Sequence, residues 1–121
     1  FKSVLAFAKS PVGMRMRNAF LNGTLKREQP FVMSIPASEA DPSYPADETI
    51  LVQGIIDAWF SEGEKLVLVD YKTDRVKEAG ELEKRYEKQL MYYQQALERT
   101  TGKKVKEKII YSLALDEELV L

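Results

Sequence analysis

Two apolar runs rich in β-branched residues, Ile50 to Phe60 and Lys65 to Lys72, follow each other across the four residues 61–64. This pattern predicts a β-hairpin. Each run also carries an acid, Asp57 in the first and Asp70 in the second. A carboxylate on a buried strand is costly in free energy unless it is paired or binds a cation. We therefore expect these two strands to lie in the middle of a sheet, and we expect each of the two acids to have a partner there.

The pairing of the two strands decides whether these acids meet. If Phe60 opposes Lys65 across a four-residue turn, then Asp57 opposes Leu68. Directly opposed residues share a face of the sheet, and diagonal neighbours lie about 7 Å apart. Asp57 and Asp70 are diagonal neighbours in this register, so one cation fits between them. A slip of one residue would move one acid to the other face.

Lys72 adds a third charged group to this face. Side chains alternate along a strand, so Asp70 and Lys72 project together while Tyr71 points away. Two carboxylates can hold Mg²⁺, which polarises a phosphodiester and lowers the pKa of a bound water. The lysine can orient that water and stabilise developing negative charge. The alternative is a buried Asp–Lys pair with no catalytic role, and the spacing alone leaves both interpretations open.

Composition narrows the possible chemistry. The chain has 121 residues, enough for one domain, and it contains no Cys and no His. Thiol nucleophiles, disulfides, thiolate-bound metals and histidine general bases are therefore excluded within this sequence. No apolar run approaches the roughly 18 residues of a membrane span. The remaining chemistry depends on carboxylates, lysines, hydroxyls and backbone, which favours hard metals bound through oxygen.

The net charge of −1 hides a segregated distribution. Residues 1–27 carry six basic side chains and no acid, whereas residues 28–64 carry eight acids and no base. Residues 65–121 are nearly balanced, with twelve basic and eleven acidic side chains, but they include a basic segment in which one acid, Glu107, stands among Arg99, Lys103, Lys104, Lys106 and Lys108. Basic stretches on either side of an acidic middle are compatible with a groove for a polyanion around a metal. The alternative is two solvated faces and an acidic loop.

The other patterns predict helices and strands around the hairpin. Leu82, Tyr86, Leu90, Tyr93 and Leu97 recur at helical spacing and mark one face of a long helix. The order ααβββαβ favours an α/β or α+β domain with a mixed sheet. The remaining elements are predicted as a helix ending near residue 8, a helix from Ser10-Pro11 to about Phe20, an edge strand over 24–35, a loop over 36–47, the long helix over 80–100 and a final strand over 105–115.

An ordered set of motifs resembles a known family. The strings Leu-Val-Gln-Gly-Ile-Ile-Asp (51–57) and Val-Asp-Tyr-Lys-Thr-Asp (69–74), followed by Gln89 and Tyr93, resemble the PD-(D/E)XK nucleases of the RecB type. They are most similar to the nuclease domains at the C-terminal end of AddA-type helicase–nuclease subunits. Each motif is weak alone, but the set is specific, and the agreement runs from about residue 10 to 115.

The resemblance implies roles for the residues of the hairpin. Asp57 and Asp70 match the metal-binding acids of the family, and the backbone carbonyl of Tyr71 matches a further metal ligand. Lys72 matches the catalytic lysine. The expected cofactor is Mg²⁺, for which Mn²⁺ can substitute.

The resemblance also extends to the long helix. Gln89 and Tyr93 match a Gln-x-x-x-Tyr element that positions DNA and the active-site lysine and acids. Without the resemblance, helix surface and core packing explain these two residues better. Glu28 is a weaker candidate to reach the metal from a neighbouring strand, against a simple exposed acid. Trp59 lies two residues after Asp57, so its side chain is expected on the same face and could stack a base there, although core packing is the better interpretation.

The implied fold is a restriction-endonuclease-like α/β core, a mixed central sheet flanked by helices, with the site where the second and third strands diverge. The implied activity is that of a Mg²⁺-dependent deoxyribonuclease of exonuclease type. Its setting would be a bacterial, cytoplasmic ATP-dependent helicase–nuclease in double-strand break repair and recombination, whose partners are DNA and a second, AddB-like subunit. ATP would bind only at the helicase, because this chain has no Gly-rich loop ending in Gly-Lys-Ser/Thr.

One departure from the family pattern bears on activity. Members of this type carry a histidine on an upstream helix that contributes to the metal site, and this chain has none. We therefore expect residues 1–121 to be a single nuclease domain whose N-terminal part is missing, so that the isolated fragment can be inactive. The alternatives are a catalytically silent nuclease-fold module for binding DNA or a partner protein, and a stand-alone or Cas4-like nuclease.

Overall fold

The predicted hairpin lies inside a five-stranded sheet. The structure, a computed structural model, describes residues 2–121, with the side chain of residue 3 left aside. The strands lie in the order β1-β2-β3-β4-β5. All neighbours are antiparallel except β3 and β4, which are parallel, so the prediction of a mixed sheet is confirmed. The strands are β1 (Lys26–Pro36), β2 (Thr49–Glu62), β3 (Lys65–Lys72), β4 (Val105–Ser112) and β5 (Glu117–Val120).

Within residues 2–121, four helices accompany the sheet: α1 (Lys2–Lys9), α2 (Pro11–Leu21), α3 (Ala37–Ala40) and α4 (Ala79–Thr101). Ser10 caps α2 by accepting a hydrogen bond from the Gly13 backbone N–H at 3.1 Å. The long helix α4 connects the parallel strands β3 and β4. Two short elements depart from the sequence prediction: α3 lies in the segment predicted to be a loop, and β5 is a fifth strand after the predicted final one.

The register of the hairpin differs from the predicted one. Glu62 pairs with Lys65, so the turn has two residues rather than four. Gly63 takes the first turn position with a φ of 64°, a value that two-residue hairpin turns require. Phe60 consequently pairs with Val67, not with Lys65. The difference is two positions, and an even shift keeps each side chain on its predicted face.

Two hydrophobic layers cover the sheet. On one face, α2 packs against apolar side chains of β2, β3 and β4, whose members include Phe60, Val67 and Tyr111. On the other face, α4 packs against a set that includes Ile56, Leu68 and Ile110. Both layers are completely buried at the central strands, which explains why β3 is a continuous apolar run up to Asp70.

The alternation of β2 changes at Asp57. Ile56 packs with α4 and Ala58 packs with α2, although residues two apart on a regular strand share a face. The ladder between β2 and β3 also ends here, at the pair Ala58 and Val69. The earlier half of β2 pairs only with β1. The two central strands therefore diverge at Asp57.

Over residues 2–121, no helix combines the length and the apolar character needed to cross a membrane.

Candidate active site

Asp57 lies where β2 separates from β3. Its Oδ2 accepts a hydrogen bond from the Tyr71 backbone N–H at 2.8 Å, so the carboxylate bridges the gap between the two strands. The side chain is half-buried. This contact fixes Asp57 beside the end of β3, where Asp70 and Lys72 lie.

Asp70 is almost completely buried, with 2% of its surface exposed. It follows Val69, the last residue of β3 paired with β2, so it lies level with Asp57 rather than diagonal to it. Burial raises the pKa of Asp70 to about 6; Lys72 opposes this effect, and the neighbouring Asp57 carboxyl adds to it. The predicted pair of acids is therefore brought together, and more closely than the predicted register implied.

Lys72 Nζ is surrounded by three different partners. It lies 2.8 Å from Asp70 Oδ2 and donates a hydrogen bond to Gln89 Oε1 at 2.8 Å. It also lies 3.9 Å from the centre of the Tyr86 ring. Only 15% of the Lys72 side chain is exposed. The lysine is thus held in one place by a charge, an amide and an aromatic face.

The helix α4 brings Gln89 and Tyr93 to the same site. Tyr93 is 7% exposed, and its ring meets the Phe31 ring edge to face at 5.4 Å. Burial and the negative charges of Asp70 and Asp57 raise the pKa of the Tyr93 hydroxyl. The hydroxyl therefore lies within the electrostatic field of both acids. All five predicted catalytic residues converge, and their roles stay predictions.

Tyr71 contributes to the site through its backbone. Its side chain lies on the opposite face, as predicted, where its hydroxyl donates to Met16 Sδ at 3.5 Å and its ring contacts Phe7 edge to face. The backbone N–H binds Asp57. Coordination of a metal by the Tyr71 carbonyl stays a prediction.

Sequence reasoning missed the support behind Lys72. The Tyr86 hydroxyl donates to Asp74 Oδ2 at 2.8 Å, and Arg85 Nη1 donates to the same oxygen at 2.6 Å. Tyr86 is three residues before Gln89, so the two lie on one face of α4. That spacing is visible in the sequence, but it identifies Tyr86 only as part of the apolar stripe.

The weaker candidates lie at the margin of the site. Glu28 is exposed and has a φ of 52°. It falls between the pairs Arg27–Ala58 and Gln29–Ile56, across from Asp57 on the neighbouring strand, and its reach to a metal stays a prediction. Trp59 packs at the edge of the core layer beneath α4, as the core interpretation predicted.

The basic segment after α4 also lies away from the acids. The Leu66 N–H, at the start of β3, donates to the Lys104 carbonyl at 2.8 Å. Asp70 and Lys72 lie at the other end of the same strand. This segment therefore does not flank the candidate metal site as the charge distribution suggested.

The donor set fits a hard divalent cation. No group of three or more His, Cys, Asp or Glu side chains that could hold a metal occurs in the described residues. Asp57 and Asp70 instead provide two carboxylates beside the backbone of Tyr71. Asp70 Oδ2 is buried and forms an ion pair with Lys72. Within the described part of the chain, this oxygen accepts no hydrogen bond of good geometry. Mg²⁺ suits such a site because it commonly takes one or two carboxylates and keeps several waters.

Comparison with known proteins agrees with this arrangement. Residues 8–119 match the profile of the PD-(D/E)XK nuclease superfamily. The AddA-type subunit of an ATP-dependent helicase/nuclease from Clostridium botulinum (strain 657 / Type Ba4) is 45% identical over 93% of this chain. The protein of the same name from Clostridium kluyveri (strain ATCC 8527 / DSM 555 / NBRC 12016 / NCIMB 10680 / K1) is 41% identical over 93% of this chain.

The chain spans only about 9% of the length of these relatives. The resemblance to AddA-type helicase–nuclease subunits is confirmed at the level of sequence similarity. The profile match includes both acid-bearing strands and all of α4. The chain therefore belongs to the PD-(D/E)XK nuclease superfamily, and its sheet and flanking helices agree with the restriction-endonuclease-like α/β fold.

Proposed function

We propose that this chain is a metal-dependent DNA nuclease domain that hydrolyses phosphodiester bonds. The observation that carries the proposal is the convergence of Asp57, Asp70 and Lys72 at the divergence of β2 and β3. A buried acid with a raised pKa beside a fixed lysine is the kind of costly arrangement that clusters at functional sites. Membership of the nuclease superfamily supports the same conclusion.

The two acids and the Tyr71 carbonyl would hold one Mg²⁺ or Mn²⁺. When bound, such an ion polarises a phosphodiester and makes water a better nucleophile near neutral pH. The positive charge of the ion also favours the ionised form of Asp70, whose burial otherwise favours protonation.

The protein supplies orientation and charge at the reacting phosphate. The Lys72 ammonium stabilises negative charge that develops on the phosphate and orients the attacking water. Gln89 and Tyr86 keep Lys72 from moving to other positions. The Tyr93 hydroxyl is protonated at neutral pH, as a tyrosine ordinarily is, and its raised pKa extends this to higher pH, so it can donate to a carboxylate or phosphate oxygen.

The longer enzyme is also part of the proposal. The relatives are named as ATP-dependent helicase/nuclease subunits, which supports a place for this chain in a helicase–nuclease. The proposed role of that enzyme is the processing of double-strand breaks for repair and recombination. The proposed partners are DNA and a second, AddB-like subunit. Capture of an AddB-type protein by the purified chain would support this assignment, and its absence at micromolar concentrations would argue against an interface within these residues.

Cleavage of linear single- and double-stranded DNA in Mg²⁺ or Mn²⁺ tests the nuclease directly. We expect Lys72→Ala to reduce the rate about 100-fold or more, which is typical for loss of a group that stabilises developing charge. Lys65→Ala is the matched control, since Lys65 is an exposed lysine at the other end of the same strand. An exonuclease will degrade linear single strands and leave circular ones intact.

Equal rates for Lys72→Ala and the unchanged chain would contradict the proposed site. If the folded chain binds DNA without cutting it, the assay is repeated with a longer protein that contains these residues and the upstream helix. Cutting by the longer protein would mean that the site is incomplete in residues 1–121, whereas DNA binding without cutting by the folded longer protein would favour the catalytically silent nuclease-fold module.

A further inference from the structure

A groove lies between α4 and the two-stranded part of the sheet in which β1 pairs with the first half of β2. Its volume is about 390 Å³, within the range of small-ligand sites. The sheet contributes Phe31 and Gly54, and the helix contributes Lys88 and Tyr92. The groove is therefore lined by aromatic rings, with an exposed lysine among them.

The groove is continuous with the candidate active site. Gln89 lines it and also accepts the hydrogen bond from Lys72 Nζ at 2.8 Å. Tyr93 lines it as well, and its hydroxyl lies within the field of Asp57 and Asp70. A ligand in the groove is consequently the immediate neighbour of whatever occupies the catalytic site.

The lining favours a ligand that is both aromatic and anionic. Among the described residues that line the groove none is acidic, in a chain that has 19 Asp and Glu residues. Lys88 Nζ lies 5.9 Å from the centre of the Tyr92 ring and donates to the Ala40 carbonyl at 3.0 Å. An ammonium has three donors, so Lys88 retains donors for an anion beside Tyr92.

We infer that this groove binds one nucleotide of the substrate strand next to the bond that is cut, with its base stacked on Tyr92 and a phosphate paired with Lys88. This inference rests on the proposed nuclease function. A base can stack on a protein ring only when it has left its own base pair. The groove therefore selects an unpaired nucleotide at this one position.

An abasic scan tests the inference. A single abasic nucleotide is moved stepwise along a single-stranded oligonucleotide, and binding is measured by fluorescence anisotropy with Ca²⁺ in place of Mg²⁺. We expect the abasic nucleotide to weaken binding about tenfold at one position beside the cleavage site, since base–aromatic stacking contributes at this level. Tyr92→Leu should bind the intact oligonucleotide about tenfold more weakly and lose the position dependence.

Three further variants separate stacking from misfolding. Tyr92→Phe keeps an aromatic face and should restore the profile of the unchanged chain. Lys88→Ala should weaken binding at every position and reduce its salt dependence, because it removes one phosphate contact. Tyr44→Leu, at an exposed tyrosine outside the groove, is the matched control and should change nothing.

DNA cleavage and the abasic profile report separately on the proposed function and on the groove. If the chain cuts DNA but Tyr92→Leu keeps the abasic profile of the unchanged chain, the groove does not hold a base and only the inference is overturned. If the folded chain neither cuts nor binds DNA, both are overturned.

Discussion

The Tyr86 ring lies 3.9 Å from Lys72 Nζ, and its hydroxyl is tied to Asp74 by a 2.8 Å hydrogen bond. A ring fixed at its far end is a rigid support for a cation, and it restricts rotation of the flexible Lys72 stem in addition to the contacts with Asp70 and Gln89. We predict that Tyr86→Leu lowers the single-turnover cleavage rate about 2- to 30-fold, the range that a cation–π contact of about 0.5–2 kcal/mol represents.

The readout that identifies a positioning role is the split between rate and binding. DNA affinity should stay unchanged in Tyr86→Leu while the rate falls. Tyr86→Phe keeps the ring and loses only the anchor to Asp74, so its effect should be smaller. A fall in DNA affinity with an unchanged rate would assign Tyr86 to substrate binding instead.

The buried carboxyl of Asp70 should destabilise the metal-free fold at neutral pH. Its pKa is raised from 3.8 to about 6 in the folded chain, so folding favours the protonated form. The stability contribution is complete below the unfolded value of 3.8 and is lost as the pH rises through about 6. We predict that Asp70→Asn increases the free energy of unfolding at pH 7 by up to about 3 kcal/mol, and that the gain disappears near pH 4.

Urea unfolding in the presence of a chelator measures this effect. Asp47→Asn, at an exposed acid of the loop before β2, is the control and should leave the stability within about 0.5 kcal/mol. A loss of stability in Asp70→Asn at pH 7 would show that the ion pair with Lys72 outweighs the burial of the carboxyl.

An ion-pair network ties α2 to the sheet on the other face. Arg15 binds both Glu62 and Glu107, and Lys106 also reaches Glu62 at 2.9 Å. The hydrogen bonds from Arg15 lower the pKa of Glu62 to about 2. Since the folded pKa lies below the ordinary 4.5, this contribution is present above pH 4.5 and is lost as the pH falls through about 2.

We predict that Glu62→Gln lowers the free energy of unfolding by about 1 kcal/mol at pH 7, because 31% of the side chain is exposed and solvent screens the pairs. Thermal melting at pH 7 and pH 2 measures the difference, which should fall to a small fraction at the lower pH, where about half of the Glu62 carboxyls are protonated in the folded chain. Glu64→Gln, two residues away in the exposed turn, is the control. A pH-independent difference would assign the effect to packing rather than charge.

The junction of α1 and α2 depends on the small size of Gly13. A Cβ at this position would lie 2.0 Å from the Phe7 carbonyl oxygen, which belongs to the backbone and cannot rotate away. Phe7 packs edge to face on Tyr71 and Tyr111, so displacing it would loosen the core layer under α2.

We predict that Gly13→Ala lowers the free energy of unfolding by about 2 kcal/mol or more. Gly80→Ala is the contrasting control: nothing lies within 4 Å of a Cβ there, and the change should stabilise α4 by up to about 1 kcal/mol. Urea unfolding compares the two variants. Equal stability of Gly13→Ala and the unchanged chain would mean that α1 can shift freely.

The general arrangement of the site was predictable from the sequence because it depends on alternation and helical period. Because side chains alternate along a strand, Asp57, Asp70 and Lys72 are expected on one face of the sheet. An error of two positions in the register leaves each side chain on the same face. That error arises from Ser61 and Glu62, two polar residues that the sequence pattern assigns to the turn but that are paired in the strand. In the sequence alone, polar residues at the end of a strand cannot be told from the residues of a turn, because their pairing partners are unknown.

Other parts of the structure depend on contacts between residues that are far apart in the sequence, and local sequence patterns do not predict such contacts. The change of face at Asp57 arises where β2 leaves β3, and the contact of Asp57 with the Tyr71 N–H joins residues 14 positions apart. The contact of Lys72 with Tyr86 requires the crossing of β3 and α4. The strand β5 has only four residues and is paired to β4 alone, so its own sequence is too short to predict it.

We propose that Asp57 and Asp70 together bind a divalent cation that DNA cleavage requires. Binding of Mn²⁺ to the folded chain, followed by electron paramagnetic resonance, measures this. We predict one site per chain, lost in Asp57→Asn and Asp70→Asn and retained in Asp47→Asn. Equal Mn²⁺ binding by the unchanged chain and Asp70→Asn, with both folded, would contradict this claim.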